Sequence, residues 1–174
     1  LMLGLKNYMT KNGFRFAHLG LSGGIDSALT LTILADTIES ENIHSFYLPS
    51  KYSSNDSKKD AESLSKNVGI KTSEISIEIL RNNILKHLDP IFKKYKEDVT
   101  EENIQSRLRG LILMALSNKL DSLLVTTGNK SELAVGYSTL YGDMCGGYSL
   151  LKDVYKTDVF ELCRWRNKNT LSYF

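Results

Sequence analysis

The 174-residue sequence predicts an α/β fold, a parallel sheet with helices on both faces. Three observations carry this. Short apolar bursts at residues 14–21, 43–48, 70–77 and 122–127 have strand length and strand patterning. Longer stretches of helical periodicity separate them, as the crossovers between parallel strands require. Polar, glycine- or serine-rich breaks follow the first, second and fourth bursts, at the strand ends where such sheets bind ligands.

Each element has a local reason. Residues 1–11 place Leu1, Leu5, Tyr8 and Met9 near helical spacing, and Gly13 is the stop. Residues 14–21 form strand one, broken by Ser22-Gly-Gly24. Residues 25–39, rich in Leu, Ile, Ala and Thr, form the next helix. Residues 43–48 form strand two, closed by Pro49, and residues 51–56 are a polar loop. Ser57 is the expected cap of a helix running to Asn67, with Gly69 ending it.

Residues 70–77 form strand three and residues 78–95 a helix with a bend at Pro90. Thr100 is the expected cap of a helix to about Lys119, with Glu101 and Glu102 suiting its dipole. Residues 122–127 form strand four. Residues 128–147 are mostly loop, with a helical turn at 131–134, and residues 155–166 form the last helix.

Composition excludes several classes. Hydrophobic residues at 41% and charged residues at 24% are too apolar and too weakly charged for a disordered chain. No apolar run reaches the length of a membrane span, so a soluble, cytoplasmic protein is expected. Two cysteines, Cys145 and Cys163, imply no disulfide framework. A formal charge of +2 predicts no general nucleic-acid surface. His18, His44 and His87 lack metal-ligand spacing and are read as structural or surface residues.

The strongest motif is Gly20-Leu-Ser-Gly-Gly-Ile-Asp-Ser27, running from strand into helix. Gly23 and Gly24 allow positive φ and bare backbone N–H groups, the helix start attracts an anion, and Ser22 and Ser27 add hydroxyl donors. No Gly-Lys-Ser/Thr follows, so this is not a Walker A loop. Asp26 discriminates further. A carboxylate beside phosphates repels them unless a divalent cation bridges the two, so Asp26 predicts Mg²⁺. Thr126-Thr-Gly-Asn-Lys-Ser-Glu132 follows strand four and faces that loop; Glu132 can supply a second carboxylate and Thr127 a hydrogen bond to a nucleotide. Asn103 and Arg107 are i and i+4 on one helix face, and Arg107 suits a bidentate phosphate or carboxylate contact. Lys152 and Lys156 are also i and i+4, provided the last helix begins early.

Ser22-Gly-Gly-Ile-Asp-Ser27 resembles the pyrophosphate loop of the ATP pyrophosphatase superfamily, whose members cleave ATP to AMP and pyrophosphate while adenylating a substrate oxygen. The segment from Thr126 to Asp143 is similar to the NAD synthetase family, above all its glutamine-dependent branch. So are Leu48-Pro-Ser-Lys-Tyr-Ser-Ser54, Asn103-Ile-Gln-Ser-Arg-Leu-Arg109 and Lys152-Asp-Val-Tyr-Lys-Thr157.

The resemblance implies a Rossmann-like fold of the adenine nucleotide alpha hydrolase type. It implies a ligase forming a C–N bond, which amidates deamido-NAD to NAD with ATP, Mg²⁺ and ammonia. Gly20, Leu21, Ser22, Gly23, Gly24, Ile25, Asp26 and Ser27 would hold ATP together with Thr127 and Lys156. Asp26 and Lys156 would be catalytic, and Asp26 and Glu132 would bind Mg²⁺. Asn103, Arg107, Glu132, Tyr137, Leu140 and Asp143 would contact deamido-NAD. The loop 53–57 would lie near adenosine. A homodimer is implied, with deamido-NAD near the subunit interface. A start without Met reads as a cut: residues 1–174 are expected to be one synthetase domain lacking an N-terminal glutaminase domain and a C-terminal segment. Another adenylating enzyme of the superfamily, acting on a nucleotide such as xanthosine monophosphate or on tRNA, and an ATP-binding module without catalysis both remain open at this level.

Overall fold

The computed structural model describes residues 1–169, in the order α1 (Met2–Asn12), β1 (Phe16–Gly20), α2 (Ile25–Ala35), β2 (Ile43–Tyr47), α3 (Asn55–Asn67), β3 (Lys71–Glu74), α4 (Glu78–Phe92), α5 (Val99–Leu120), β4 (Ser122–Thr126), α6 (Lys130–Ala134), β5 (Tyr148–Ser149) and α7 (Lys156–Lys168). The chain end expected beyond the last helix, 170–174, lies outside the described residues.

The strands form one parallel sheet in the order β3-β2-β1-β4-β5. The chain steps from β1 to β2 and β3 on one side and returns to β4 and β5 on the other. The order therefore reverses between β1 and β4, and a crevice opens there at the strands' carboxyl ends.

Alternation along the strands sorts the core. Ala17, Leu19, Ile43, Leu123 and Val125 face Leu5 and Met9 of α1, Leu29 and Leu34 of α2, and Val159 of α7. Phe46 and Leu124 face the other way, with Leu48 and Ile77, against Leu113 of α5. Helix α2 is apolar around most of its circumference and is largely buried. Its threonines are tolerated because Thr30 and Thr32 donate their hydroxyls to the carbonyls of Asp26 and Ala28, at 2.9 and 2.8 Å.

His18 is fully buried on the α5 side. Its Nε2 lies 3.0 Å from the Leu113 carbonyl, which can only accept, so Nε2 carries the proton and Nδ1 is left to accept from the Ser122 hydroxyl at 2.9 Å. Burial pushes its pKa below the ordinary histidine value.

Several boundaries differ from the sequence expectation. Helix α2 ends at Ala35 rather than at residue 39. Ser54, not Ser57, caps α3, its hydroxyl accepting from the Ser57 N–H at 3.0 Å. Strand β3 spans four residues, Lys71–Glu74, and Ile77 instead plugs the second core cluster. Asp98, not Thr100, caps α5: Asp98 accepts from the Thr100 N–H, and Glu101 accepts from the Asp98 N–H, a capping box. Helix α4 carries Pro90 within its last turn and ends at Phe92. Strand β5 is an addition, made by two residues pairing with Val125 and Thr126.

Candidate active site

The turn after β1 is built by its own side chains. The Gly24 N–H donates to Ser22 Oγ at 3.1 Å, the Ser22 N–H to Ser27 Oγ at 3.2 Å, and Ser27 Oγ to the Gly24 carbonyl at 2.9 Å. The two hydroxyls thus brace the loop as well as fronting it. Gly23 has φ +84°, and a Cβ there would run into the backbone of Ser57 at the start of α3. Gly24 is ordinary extended backbone at φ −81°, so only Gly23 of the pair needs the left-handed conformation.

A cleft of about 580 Å³ opens at the switch point between β1 and β4. Its floor includes Gly20, Leu21, Ser22 and Thr127; its far wall is Asn103, Ser106 and Arg109 of α5 with Tyr137, Thr139 and Asp143 of the following loop. Ser53 lines it as well, which brings the loop after β2 to the same place.

Helix α5 and the loop 137–145 are closely fitted. Thr139 Oγ1 donates to Asn103 Oδ1 at 2.9 Å, and Arg107 Nε donates to the Leu140 carbonyl at 3.2 Å. The Asp143 N–H donates to Ser106 Oγ at 3.0 Å. A Cβ on Gly110 would come within 2.7 Å of the Gly142 carbonyl oxygen. The i, i+4 pair Asn103 and Arg107 therefore does act as one face, and it holds the loop. Leu140 itself points outward, being exposed.

Beside the cleft lies a charged cluster. Asp26, in the first turn of α2, forms an ion pair with Lys156, the first residue of α7. Its other oxygen, Oδ1, accepts from Asn129 Nδ2 at 2.9 Å. Asn129 and Glu132 form a capping box on α6, each accepting the other's backbone N–H at 3.0 Å. Ser131 Oγ accepts the Lys156 N–H at 3.0 Å. Asp26, Glu132 and Lys156, distant in sequence, are thereby brought together through Asn129 and Ser131. Lys152 stays outside, since α7 begins only at Lys156; it is exposed and paired with Asp153.

Two carboxylates, Asp26 and Glu132, are hard oxygen donors of the kind Mg²⁺ takes alongside waters and phosphates. Asn129 and Ser106 have no role assigned from the sequence, and Arg109 belongs to the Asn103-to-Arg109 motif without one. Asn129 stands inside the Thr126-to-Glu132 motif, but only the fold shows it touching Asp26. Arg109 gives its Nε–H to the Leu48 carbonyl at 2.9 Å, and burial pushes its guanidinium below its ordinary value. Cys145 lines the cleft, and Cys163 packs partly against the main core.

A family model for NAD synthase matches residues 1–170. The chain belongs to the NAD synthase family. Among curated relatives, the glutamine-dependent NAD(+) synthetase of Xanthomonas campestris pv. campestris (strain 8004) is 55% identical over 164 residues, covering 94% of this chain and 30% of that protein. A solved glutamine-dependent NAD+ synthetase from Acinetobacter baumannii, in complex with adenosine diphosphate, is 47% identical with a TM-score of 0.94, over 96% of this chain and 32% of that one. An NH3-dependent NAD synthetase from Campylobacter jejuni is 27% identical with a TM-score of 0.87, over 95% of this chain and 70% of that one. The chain thus spans about 30% of the length of the curated relatives it matches, and its fold is that of solved members of the family.

Proposed function

We propose that the chain is the synthetase portion of an NAD synthetase and amidates deamido-NAD to NAD, splitting ATP into AMP and pyrophosphate. The observation that carries this is one cleft at the sheet's switch point lined by the Ser22 turn and the α5–loop wall, with the Asp26–Lys156 pair beside it at the start of α2.

The nicotinate carboxylate of deamido-NAD attacks the α-phosphorus of ATP. The bond to the bridging oxygen breaks, pyrophosphate leaves, and an acyl-adenylate forms. Ammonia then adds to the acyl carbon, AMP departs with the former carboxylate oxygen, and a proton is lost to give the amide. No enzyme nucleophile is needed, so positioning and charge neutralisation do the work.

The turn's remaining backbone N–H groups, those not taken by the Ser22 and Ser27 hydroxyls, and the N-terminus of α2 would meet the phosphates. Lys156 neutralises charge there, and Thr127 at the end of β4 borders the nucleotide. Asn103, Arg107, Tyr137 and Asp143 shape the side taken by deamido-NAD, through the loop they hold or form. Asp26 and Glu132 would hold Mg²⁺, which when bound offsets charge on the phosphates.

The exposed apolar side chains of Val135, Tyr137, Leu140 and Tyr141 beside the cleft support a homodimer that covers them. The likeness to glutamine-dependent relatives supports a glutaminase domain as the source of ammonia in the full-length protein. The test is ATP-dependent formation of NAD from deamido-NAD and ammonium by the chain, read by chromatography. NAD formation with AMP and pyrophosphate in equal amounts is expected. Amidation of xanthosine monophosphate instead, tRNA-dependent ATP use, or ATP binding with no turnover would overturn the reading.

A further inference from the structure

The geometry points to Asn129 as a positioning residue for Asp26: its amide holds one carboxylate oxygen so that the other is the one exchanged between Lys156 and a divalent cation. Asn129 is fully buried, and each polar atom of its side chain has one fixed use. The carboxylate of Asp26 can only accept, so Nδ2 donates to it; the Glu132 N–H can only donate, so Oδ1 accepts from it. The two bonds fix the amide's orientation. They also tie the start of α2 to the turn after β4, across the switch point between β1 and β4.

Asp26 therefore has two unlike oxygens. Oδ1 is committed to a buried amide, whereas Oδ2 faces Lys156, whose side chain remains 38% exposed. A long, partly exposed lysine can leave without breaking the core, and the asparagine cannot. An outer partner of this type is expected to govern the affinity of the carboxylate for a cation.

This inference rests on the proposed role of Asp26 toward Mg²⁺, and the experiment separates the two. ATP affinity is measured calorimetrically for the chain with Mg²⁺ and with EDTA, for the parent, Asp26→Asn, Asn129→Ser and Asn129→Asp. Ser and Asp both keep an acceptor that caps α6, but neither supplies an N–H to Asp26. We expect Asp26→Asn to abolish the tightening that Mg²⁺ confers. Asn129→Ser should lose about 10-fold or more of that tightening, with ATP affinity in EDTA unchanged; Asn129→Asp should lose more, because it sets a carboxylate against Asp26. If Asp26→Asn keeps the full Mg²⁺ effect, the metal reading itself fails. If Asp26→Asn loses it while Asn129→Ser keeps it, the positioning role is overturned. Equal losses in Mg²⁺ and EDTA, or failure of both Asn129 variants to fold, would show a merely structural residue and overturn it as well.

Discussion

Asp26 and Lys156, 130 residues apart in sequence, meet as an ion pair where the first turns of α2 and α7 converge beside the turn after β1. In the proposed reaction the pair would supply a carboxylate for the cation and an ammonium for a phosphate. Lys156→Met should therefore lower the rate of pyrophosphate release about 100-fold or more, as loss of a preorganised charge at a reacting centre does. The melting temperature should move little, because the lysine side chain is more than a third exposed. A large fall in melting temperature with unchanged turnover would show the pair to be structural.

Gly23 and Ser57 define the second prediction. Gly23→Ala meets both the left-handed φ and the backbone of Ser57, and overpacking of this kind destabilises by about 1–3 kcal/mol. Urea unfolding should show that loss, together with weakened ATP binding. Gly24→Ala is the control, since its φ is ordinary and its new Cβ would meet only the Ser22 hydroxyl, at 3.2 Å. Equal stability of the two variants would contradict the account of the turn.

Gly110 lies against the loop that the proposed function assigns to deamido-NAD. Its alanine variant pushes on the carbonyls of Tyr141 and Gly142 and shifts the loop that Asn103, Ser106 and Arg107 hold. A displacement of the order of 1 Å in a positioning wall can lower kcat/KM about 100-fold. Steady-state kinetics should show this loss toward deamido-NAD, while ATP affinity, which the proposed function ties to the Ser22 turn, changes much less. Equal weakening of both substrates would place the loop elsewhere in the mechanism.

His18 sets a pH dependence of stability. Burial lowers its folded pKa, so between that value and the ordinary 6.5 the unfolded chain binds a proton that the folded chain does not. Stability from this group is present above pH 6.5 and is lost as the pH falls through that window, by at most about 1.4 kcal/mol per pH unit. Urea midpoints between pH 7 and 5 should fall less steeply for His18→Gln than for the parent. Parallel curves would show that His18 is protonated equally in both states.

Much of this was legible in the sequence because it is local or periodic. Strand bursts, the Ser22-to-Ser27 turn and the Asn103–Arg107 face follow from residue type and spacing, whereas the split that buries Ala17 and Leu19 on one side and Phe46 on the other is read only from the fold. What escaped depends on tertiary contact. Asp98 and Thr100 are both good caps, and the reciprocal bond with Glu101 decides for Asp98. Ser54 outcompetes Ser57 for a similar reason: the helix begins early enough for Ser57 to donate its own N–H. Strand β5 is two residues long, with no periodicity to read, and exists because Val125 and Thr126 offer it an edge. Asn129 carries no signal of its own within the Thr126-to-Glu132 motif, because its contact with Asp26 spans 103 residues of sequence.

Attack of the nicotinate carboxylate on the α-phosphorus of ATP, as proposed for this cleft, has one direct test. Deamido-NAD labelled with ¹⁸O in its carboxylate is turned over with ATP, Mg²⁺ and ammonium, and the AMP is analysed by mass spectrometry. One labelled oxygen is expected in each AMP, carried over when ammonia displaces it, and none in pyrophosphate. AMP free of label, or ADP and phosphate as the nucleotide products, would contradict it.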